Sequence, residues 1–294
     1  MPLATSPLRY PGGKAPLMGL VSQIIRLNKF QYGHYAEPYA GGCGLALGLL
    51  YGGYVSDIHI NDIDRGIWSF WQVVLNQTDE FIDLMNRTPI TLDEWRRRRE
   101  MQRNQRGLSQ LEIAFTTFFL NRTNRSGIIK NAGVIGGLNQ AGDYKIDCRF
   151  TKSELERRIR RVRRYRDRIH LHRKDALDFL RHVERNLPES TFLCIDPPYF
   201  NKGSTLYTSF YEPEDHAAVA AKILDLDRPW LITYDRCDEI SALYASRRQY
   251  EISLNYSAQV KRVGSELLIA SKGLKLPRQI RETQVHKPQY RSAA

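Results

Sequence analysis

This sequence has little material for disulfides, metal clusters or membrane spans. Four cysteines (Cys43, Cys148, Cys194 and Cys237) are scattered through 294 residues. No pair of them has metal-ligand spacing, and a chain this long does not depend on a disulfide framework. A reducing interior is the simplest setting. No apolar run reaches the roughly 18 residues of a membrane helix. No N-terminal stretch joins a basic start to an apolar core. The expectation is a cytoplasmic protein with no membrane partner and no bound metal. Acid is also short, with 32 Asp and Glu against 44 Lys and Arg, a formal net charge of +12. Such an excess suits a polyanionic partner and speeds encounter with one. A merely basic protein would show the same count. What is present is an ordinary apolar content of 42%. The chain is long enough to bury a sizeable core, in one large domain or two moderate ones. No internal repeat or low-complexity block occurs.

The chain turns on Asp196-Pro197-Pro198-Tyr199. The preceding Thr191–Ile195 is apolar, β-branched at both ends and too short for a helix, so it reads as a buried strand. Proline ends that strand and fixes the backbone as it leaves the sheet. A carboxylate, a proline carbonyl and an aromatic face thus meet at a strand's C-terminal end, where open α/β sheets form their ligand crevice. The carboxylate and carbonyl can accept hydrogen bonds from an amino group, and the ring can stack on a flat one. A plain strand, turn and surface aromatic would read the same way.

Two glycine turns precede it. Tyr10-Pro11-Gly12-Gly13-Lys14 leads into an apolar-periodic helix. Such a turn lets backbone N–H groups approach an anionic group. Glu37-Pro38-Tyr39-Ala40-Gly41-Gly42-Cys43-Gly44 follows a short strand and opens an apolar helix, and Val55–Ile60 is a second strand ending in Asn61-Asp62. Strand, glycine turn, helix, strand and acid make the layout of a nucleoside-binding βαβ unit, the acid taking ribose hydroxyls. The dinucleotide glycine spacing is absent, which favours a nucleoside without a pyrophosphate. A tight βα turn with a capping Asp is the plainer alternative.

From residue 63 to about 168 helix-like segments follow one another without a strand, which reads as a helical insertion in an α/β frame. It holds the run Arg96–Arg99 and a long polar stretch from Asn121 to Asp143. Long ordered loops are often functional, and Asn, Gln and Arg read base edges. Thr151 to Glu154 reads as a capping box. The helix that follows carries arginines at 157, 158, 160, 161, 163 and 164. Phosphate contact is the preferred reading of these over a solvated face. Strand–helix alternation then resumes, with a polar loop expected over Asn201–Tyr211 and another over Ser257–Gly264.

Together these segments resemble the Dam-type DNA adenine-N6 methyltransferases, in the family's α-type motif order. The match runs from about Leu8 to Ser271. Single motifs are moderately specific; four in this order are strongly so. The resemblance implies a doubly wound mixed α/β sheet of the S-adenosylmethionine-dependent type with an inserted helical recognition domain. It puts the catalytic, cofactor-binding domain at residues 1–62 and 169–271 and the recognition domain at 63–168; beyond the match, residues 272–294 are basic and unpatterned and read as a loose tail. It implies S-adenosyl-L-methionine as cofactor, held by Tyr10, Gly13, Lys14, Glu37, Pro38, Tyr39, Gly41, Gly42, Asp62 and Asp196. It implies catalysis on a flipped adenine by Asp196, Pro197, Pro198 and Tyr199. Double-stranded DNA is the expected partner, contacted by Asn121, Arg122, Asn124, Arg125, Asn139, Arg157, Arg160, Arg161 and Arg164. A cognate restriction endonuclease is a candidate second partner. The segment after Asn121-Arg122 departs from that of relatives that methylate GATC, so no recognition sequence carries over.

Rival readings differ in named residues. A cytosine-C5 enzyme needs a cysteine nucleophile beside proline, but Cys194 lies on the expected strand before Ile195. A cytosine-N4 enzyme more often has serine where Asp196 stands. RNA adenine methylation would use a similar pocket. A DNA-binding protein that had lost turnover would not need the intact tetrapeptide.

Overall fold

The computed structural model describes residues 5–10, 12–200, 211–256 and 262–288. Residues 201–210 of the expected loop Asn201–Tyr211, residues 257–261 of the expected loop Ser257–Gly264, Pro11 of the first motif and residues 1–4 and 289–294 lie outside them. Eight strands form one sheet: β1 (His34–Glu37), β2 (Asp57–Asn61), β3 (Ile169–His172), β4 (Phe192–Ile195), β5 (Trp230–Asp235), β6 (Arg248–Tyr256), β7 (Arg262–Ala270) and β8 (Gln284–His286). Their order is β3-β2-β1-β4-β5-β7-β6-β8. The first five run parallel, and β7, β6 and β8 pair antiparallel. The chain steps outward from β1 to β3 and then returns to β4 on the other side of β1. The order therefore reverses between β1 and β4, and the crevice at such a reversal is where open sheets bind ligands.

The strands are apolar on both faces because both are covered. Tyr35, Ile58, Ile60, Phe192 and Leu231 face one core. It is closed by α1 (Met18–Leu27), α2 (Gly44–Tyr51) and the insertion: α3 (Arg65–Asn76), α4 (Thr78–Arg87), α5 (Leu92–Arg103), α6 (Gln110–Thr123) and α7 (Lys152–Arg164). Ala36, Leu193, Ile195, Ile232 and Tyr234 face a second core, against α8 (Ala176–Asn186), α9 (Pro213–Leu224) and α10 (Asp238–Leu243). The helical insertion has no core of its own; its aromatics continue the first core. Phe70 and Phe118 stack at 5.6 Å, and Phe81 meets Phe118 edge-on at 5.3 Å. Truncating a ring such as Phe118 to Ala would cost about 3–5 kcal/mol.

Local signals set the helix starts. Asp64 caps α3 by accepting from Gly66 and Ile67 N–H groups at 2.8 and 3.0 Å. Ser109 and Glu112 form a capping box on α6. The box expected at Thr151 is not formed: Thr151 makes no side-chain cap bond, and Glu154 is taken by Arg157 and Arg158.

The expected loose tail also differs. Among its described residues it carries α11 (Arg278–Arg281) and β8, which extends the sheet beside β6. Its sequence lacks alternation because an edge strand needs only backbone pairing.

Histidines line one edge of the second face. His34 Nδ1 lies 2.9 Å from His59 Nε2, His59 stacks on His170 at 4.5 Å, and Asp57 bonds His170 at 2.8 Å. His172 and His182 continue the row at 4.8 Å. Burial first, then its histidine neighbours, push His59 down to about 3. Burial likewise takes His172 down to about 4.

Candidate active site

The carboxylates converge at the C-terminal ends of the central strands. β1 ends at Glu37, Asp62 follows β2, Asp196 follows β4, and Glu266 enters from antiparallel β7 opposite Asp235. Lys14, from the first motif, reaches into this group and is 7% exposed. Its Nζ lies 2.9 Å from Asp196 Oδ1 and 3.4 Å from Glu266 Oε1. It also donates to the Gly12 carbonyl and the Tyr199 hydroxyl, each at 2.9 Å. Tyr199 in turn donates to Glu266 Oε1. Thr233 donates to Asp196 Oδ1 at 3.1 Å. Both donors to Asp196 therefore use Oδ1, and Oδ2 has no partner among the described residues. Burial raises the Asp196 carboxyl, opposed by Lys14 and Thr233. Burial also raises Glu266, again opposed by Lys14. Asp235 anchors the chain leaving the tetrapeptide by accepting from the Phe200 N–H at 2.9 Å.

The two glycine turns meet. Tyr10 packs on Gly41 and Gly42, where an added Cβ would stand 2.7 Å and 2.8 Å from the Tyr10 side chain. Gly41 also sits at φ +46°, which disfavours other residues. Its N–H donates to Asp62 Oδ2 at 2.9 Å, and its carbonyl accepts from the Trp71 indole at 2.9 Å. Asp62 Oδ1 accepts from the Asp64 N–H at 2.9 Å. Burial, then Asp64, lifts Asp62 to about 7. Glu37 lies under the turn and accepts from Tyr35 and from the Ala46 N–H at 2.9 and 3.1 Å. Burial lifts it to about 8. Neither Glu37 nor Asp62 is ion-paired among the described residues. Uncompensated carboxylates beside a glycine turn suit a cationic, hydroxyl-bearing ligand. Pro38 is buried at the base of the turn, and Tyr39 bonds Tyr211 at 2.9 Å across the next loop. Gly13 closes the first turn by donating to the Tyr10 carbonyl at 3.1 Å.

A family model, D12 class N6 adenine-specific DNA methyltransferase, matches residues 10–258. The chain belongs to that family. No curated protein matches it. The mixed eight-stranded sheet with helices on both faces is the fold such a methyltransferase requires, as the resemblance implied.

The candidate DNA contacts of this methyltransferase divide in two. Asn121, Arg122 and Asn124 are at most 5% exposed and bonded inside the fold. Asn121 accepts from the Arg9 N–H at 2.8 Å and donates to the Arg9 and Gly127 carbonyls at 2.5 and 2.8 Å. Arg122 Nε donates to the Pro7 carbonyl at 2.8 Å. Burial and neighbouring arginines bring Arg122 down to about 9. Asn124 accepts from Trp95 at 2.7 Å and donates to Ile128 at 2.8 Å. These three clamp the first motif and the following loop rather than facing solvent. Arg125 and Asn139 are exposed on that loop, and Lys130 reaches Asp64 at 3.4 Å, two residues from Asp62.

The α7 arginines lie elsewhere. Arg157 pairs with Glu154 at 2.7 Å, and Arg160 pairs with Glu156 and Asp79, each at 2.9 Å. Arg161 sits 4.0 Å over the ring of Tyr51, the last residue of α2. Arg164 is exposed. Beyond the helix, Arg168 donates to the Val55 carbonyl at 3.0 Å, just before β2 begins. The C-terminal half of α7 thus lies at the starts of the strands, the end opposite the carboxylates. A groove at that end, lined by Phe30, Arg228, Arg247 and Lys272, contains none of the site residues.

Three site residues were not foreseen: Thr233, Asp235 and Glu266. Asp235 ends its strand next to the Asp196 strand and could have been found by that position. Glu266 had a weaker signal, as a lone acid inside an apolar strand. Among the described residues no helix could cross a membrane, and no group of His, Cys, Asp and Glu could hold a metal ion.

Proposed function

We propose that the protein transfers a methyl group from S-adenosylmethionine to the exocyclic N6 of an adenine turned out of duplex DNA. Membership in the family gives adenine-specific DNA methylation. The cofactor, the flipped base and the residue roles are our reading. The observation that carries it is Asp196 at the topological switch point, with Oδ1 taken by Lys14 and Thr233 and Oδ2 open. Glu37, Asp62 and the turn at Gly41–Gly42 fit the cofactor, because they offer buried carboxyl groups whose ionisation a cationic ligand favours, beside a turn that allows close backbone approach. When bound there, S-adenosylmethionine supplies a methyl group made electrophilic by its positive sulfur.

The adenine amino nitrogen is a poor nucleophile because its lone pair is delocalised into the ring. Asp196 Oδ2 accepts one amino hydrogen and the Pro197 carbonyl the other. Together they favour a geometry that turns the lone pair toward the methyl group. Lys14 on Oδ1 favours the ionised form of this carboxyl against the effect of burial. As the nitrogen gains its fourth bond it becomes positive, and the adjacent Asp196 stabilises that charge. One amino proton then leaves toward the carboxylate or solvent. Tyr199, fixed by its hydroxyl, gives a wall on which the base stacks. Reaching the pocket requires the base to leave the duplex stack, and proximity and preorganised charge supply the acceleration. For the DNA side, Arg125 and Asn139 are the preferred contacts among the expected residues, because they are exposed on the loop whose Lys130 reaches Asp64.

Incubation of the purified protein with methyl-labelled S-adenosylmethionine and duplex DNA should put label on adenine N6. Label in cytosine alone, or in RNA alone, overturns the reading.

A further inference from the structure

We infer that Glu266 is a positioning residue for methyl transfer, acting on Asp196 through Lys14 and on the base wall through Tyr199. The inference rests on the reading above, in which Asp196 holds the adenine amino group. Glu266 is 2% exposed, on β7, and 252 positions from Lys14 in sequence. A carboxylate is rarely buried this deeply without a task. Nothing in the packing of β7 needs one, since its neighbours Leu267, Leu268 and Ile269 are all apolar core.

The geometry gives Glu266 two jobs through one oxygen. Oε1 accepts the Tyr199 hydroxyl and also lies 3.4 Å from Lys14 Nζ. Tyr199 is thereby held by its hydroxyl, with Lys14 donating to the same hydroxyl at 2.9 Å. Swinging the side chain about χ1 would carry the hydroxyl away and break both bonds. Lys14 meanwhile is shared by two carboxylates, Asp196 at 2.9 Å and Glu266 at 3.4 Å. One cation facing two anions neutralises neither completely. Glu266 therefore sets how much of the Lys14 charge Asp196 receives. Its second oxygen, Oε2, is buried without a hydrogen-bond partner among the described residues. That leaves an open acceptor into which Lys14 can lean when a base amino group reaches Asp196.

Two effects of Glu266 on Asp196 point the same way. Its own negative charge disfavours ionisation of Asp196, and its hold on Lys14 withdraws part of the favourable charge. Removing the Glu266 charge should ease ionisation of Asp196. A residue that merely filled space would not move that ionisation.

The test is Glu266→Gln, which keeps the shape and an acceptor for Tyr199 but removes the charge. We expect kcat to fall about 10–100-fold, a range typical of one misplaced group in a preorganised site. KM for DNA and for S-adenosylmethionine should stay within about 3-fold, the pattern of an interaction expressed in the transition state. The acid limb of the kcat–pH profile should move to lower pH. Adding Tyr199→Phe to Glu266→Gln should cost less than the two single losses combined, because they share one hydrogen bond. An unchanged kcat, or an acid limb that does not move, overturns the inference. Should Glu266→Gln fold poorly, Glu266→Asp retains the charge; its acid limb should coincide with the wild-type one, and a displaced limb overturns the inference. A wild-type protein that methylates no adenine defeats the functional reading itself. An active wild type with an indifferent Glu266→Gln defeats only this step.

Discussion

Two parts of this molecule concentrate positive charge, and they use it in opposite ways. At the strand ends a single cation, Lys14, is buried between two carboxylates and touches Tyr199. On α7, six arginines line a surface helix, of which Arg157, Arg158 and Arg160 are paired with acids on the same helix. Lys14 works in a low-dielectric setting where one charge decides the ionisation of its neighbours. The arginines work in water, where each such pair is worth at most about 1 kcal/mol. Counting charges ranks α7 first; burial ranks Lys14 first.

The largest expected effect tests the buried end. Asp196→Ala removes the acceptor for the amino group and the main partner of Lys14. Methyl transfer should fall by at least about 10³-fold, at the upper end of what one preorganised electrostatic contact supplies. DNA affinity, read by anisotropy, should change little. Retained turnover in that variant would erase the contrast between the two regions. An intermediate effect tests the arginines. Changing Arg157, Arg160 and Arg164 together to Gln should leave the salt dependence of DNA affinity unaltered, whereas Arg125→Ala should reduce its log–log slope by about 1. The reverse result would restore α7 as the DNA-facing surface.

The smallest effect concerns a third basic group, the histidine row. His59 is neutral in the fold, held down to about 3, so the unfolded chain takes up a proton first as pH falls below 6.5. Stability should therefore be complete above pH 6.5 and decline from there toward pH 3, at up to about 1.4 kcal/mol per pH unit for this one group. His59→Asn should flatten that decline in melting temperature measured between pH 7 and pH 4. A decline of undiminished slope would remove His59 as its source.

Much of this was legible in the sequence, for reasons that differ by residue. Asp196 was visible because proline must end a strand, and a strand end in a parallel sheet is a site. The glycine turns were visible as turns, but close approach to a ligand was the one use the sequence suggested for them. Gly41 and Gly42 also make room for Tyr10, a contact across 31 positions that no local pattern records. Asn121, Arg122 and Asn124 resembled base readers because donors and acceptors that read bases equally well saturate a buried backbone. Their burial comes from tertiary packing of α6. On α7 the warning was present: Glu154 and Glu156 stand three or four residues before Arg157, Arg158 and Arg160, the spacing of helix ion pairs. Glu266 stayed hidden because its partners, Lys14 and Tyr199, stand 252 and 67 positions away.

The continuous first core has a consequence for engineering. Phe70, Phe81, Phe115 and Phe118 of the helical insertion share one packed cluster with Tyr35, Ile58 and Phe192 of the sheet. Recombination at residues 63 and 168 would cut through that cluster and expose it on both fragments. The helical insertion is therefore not an exchangeable cassette. Substitutions confined to the exposed residues of 125–149, by contrast, leave the shared packing intact.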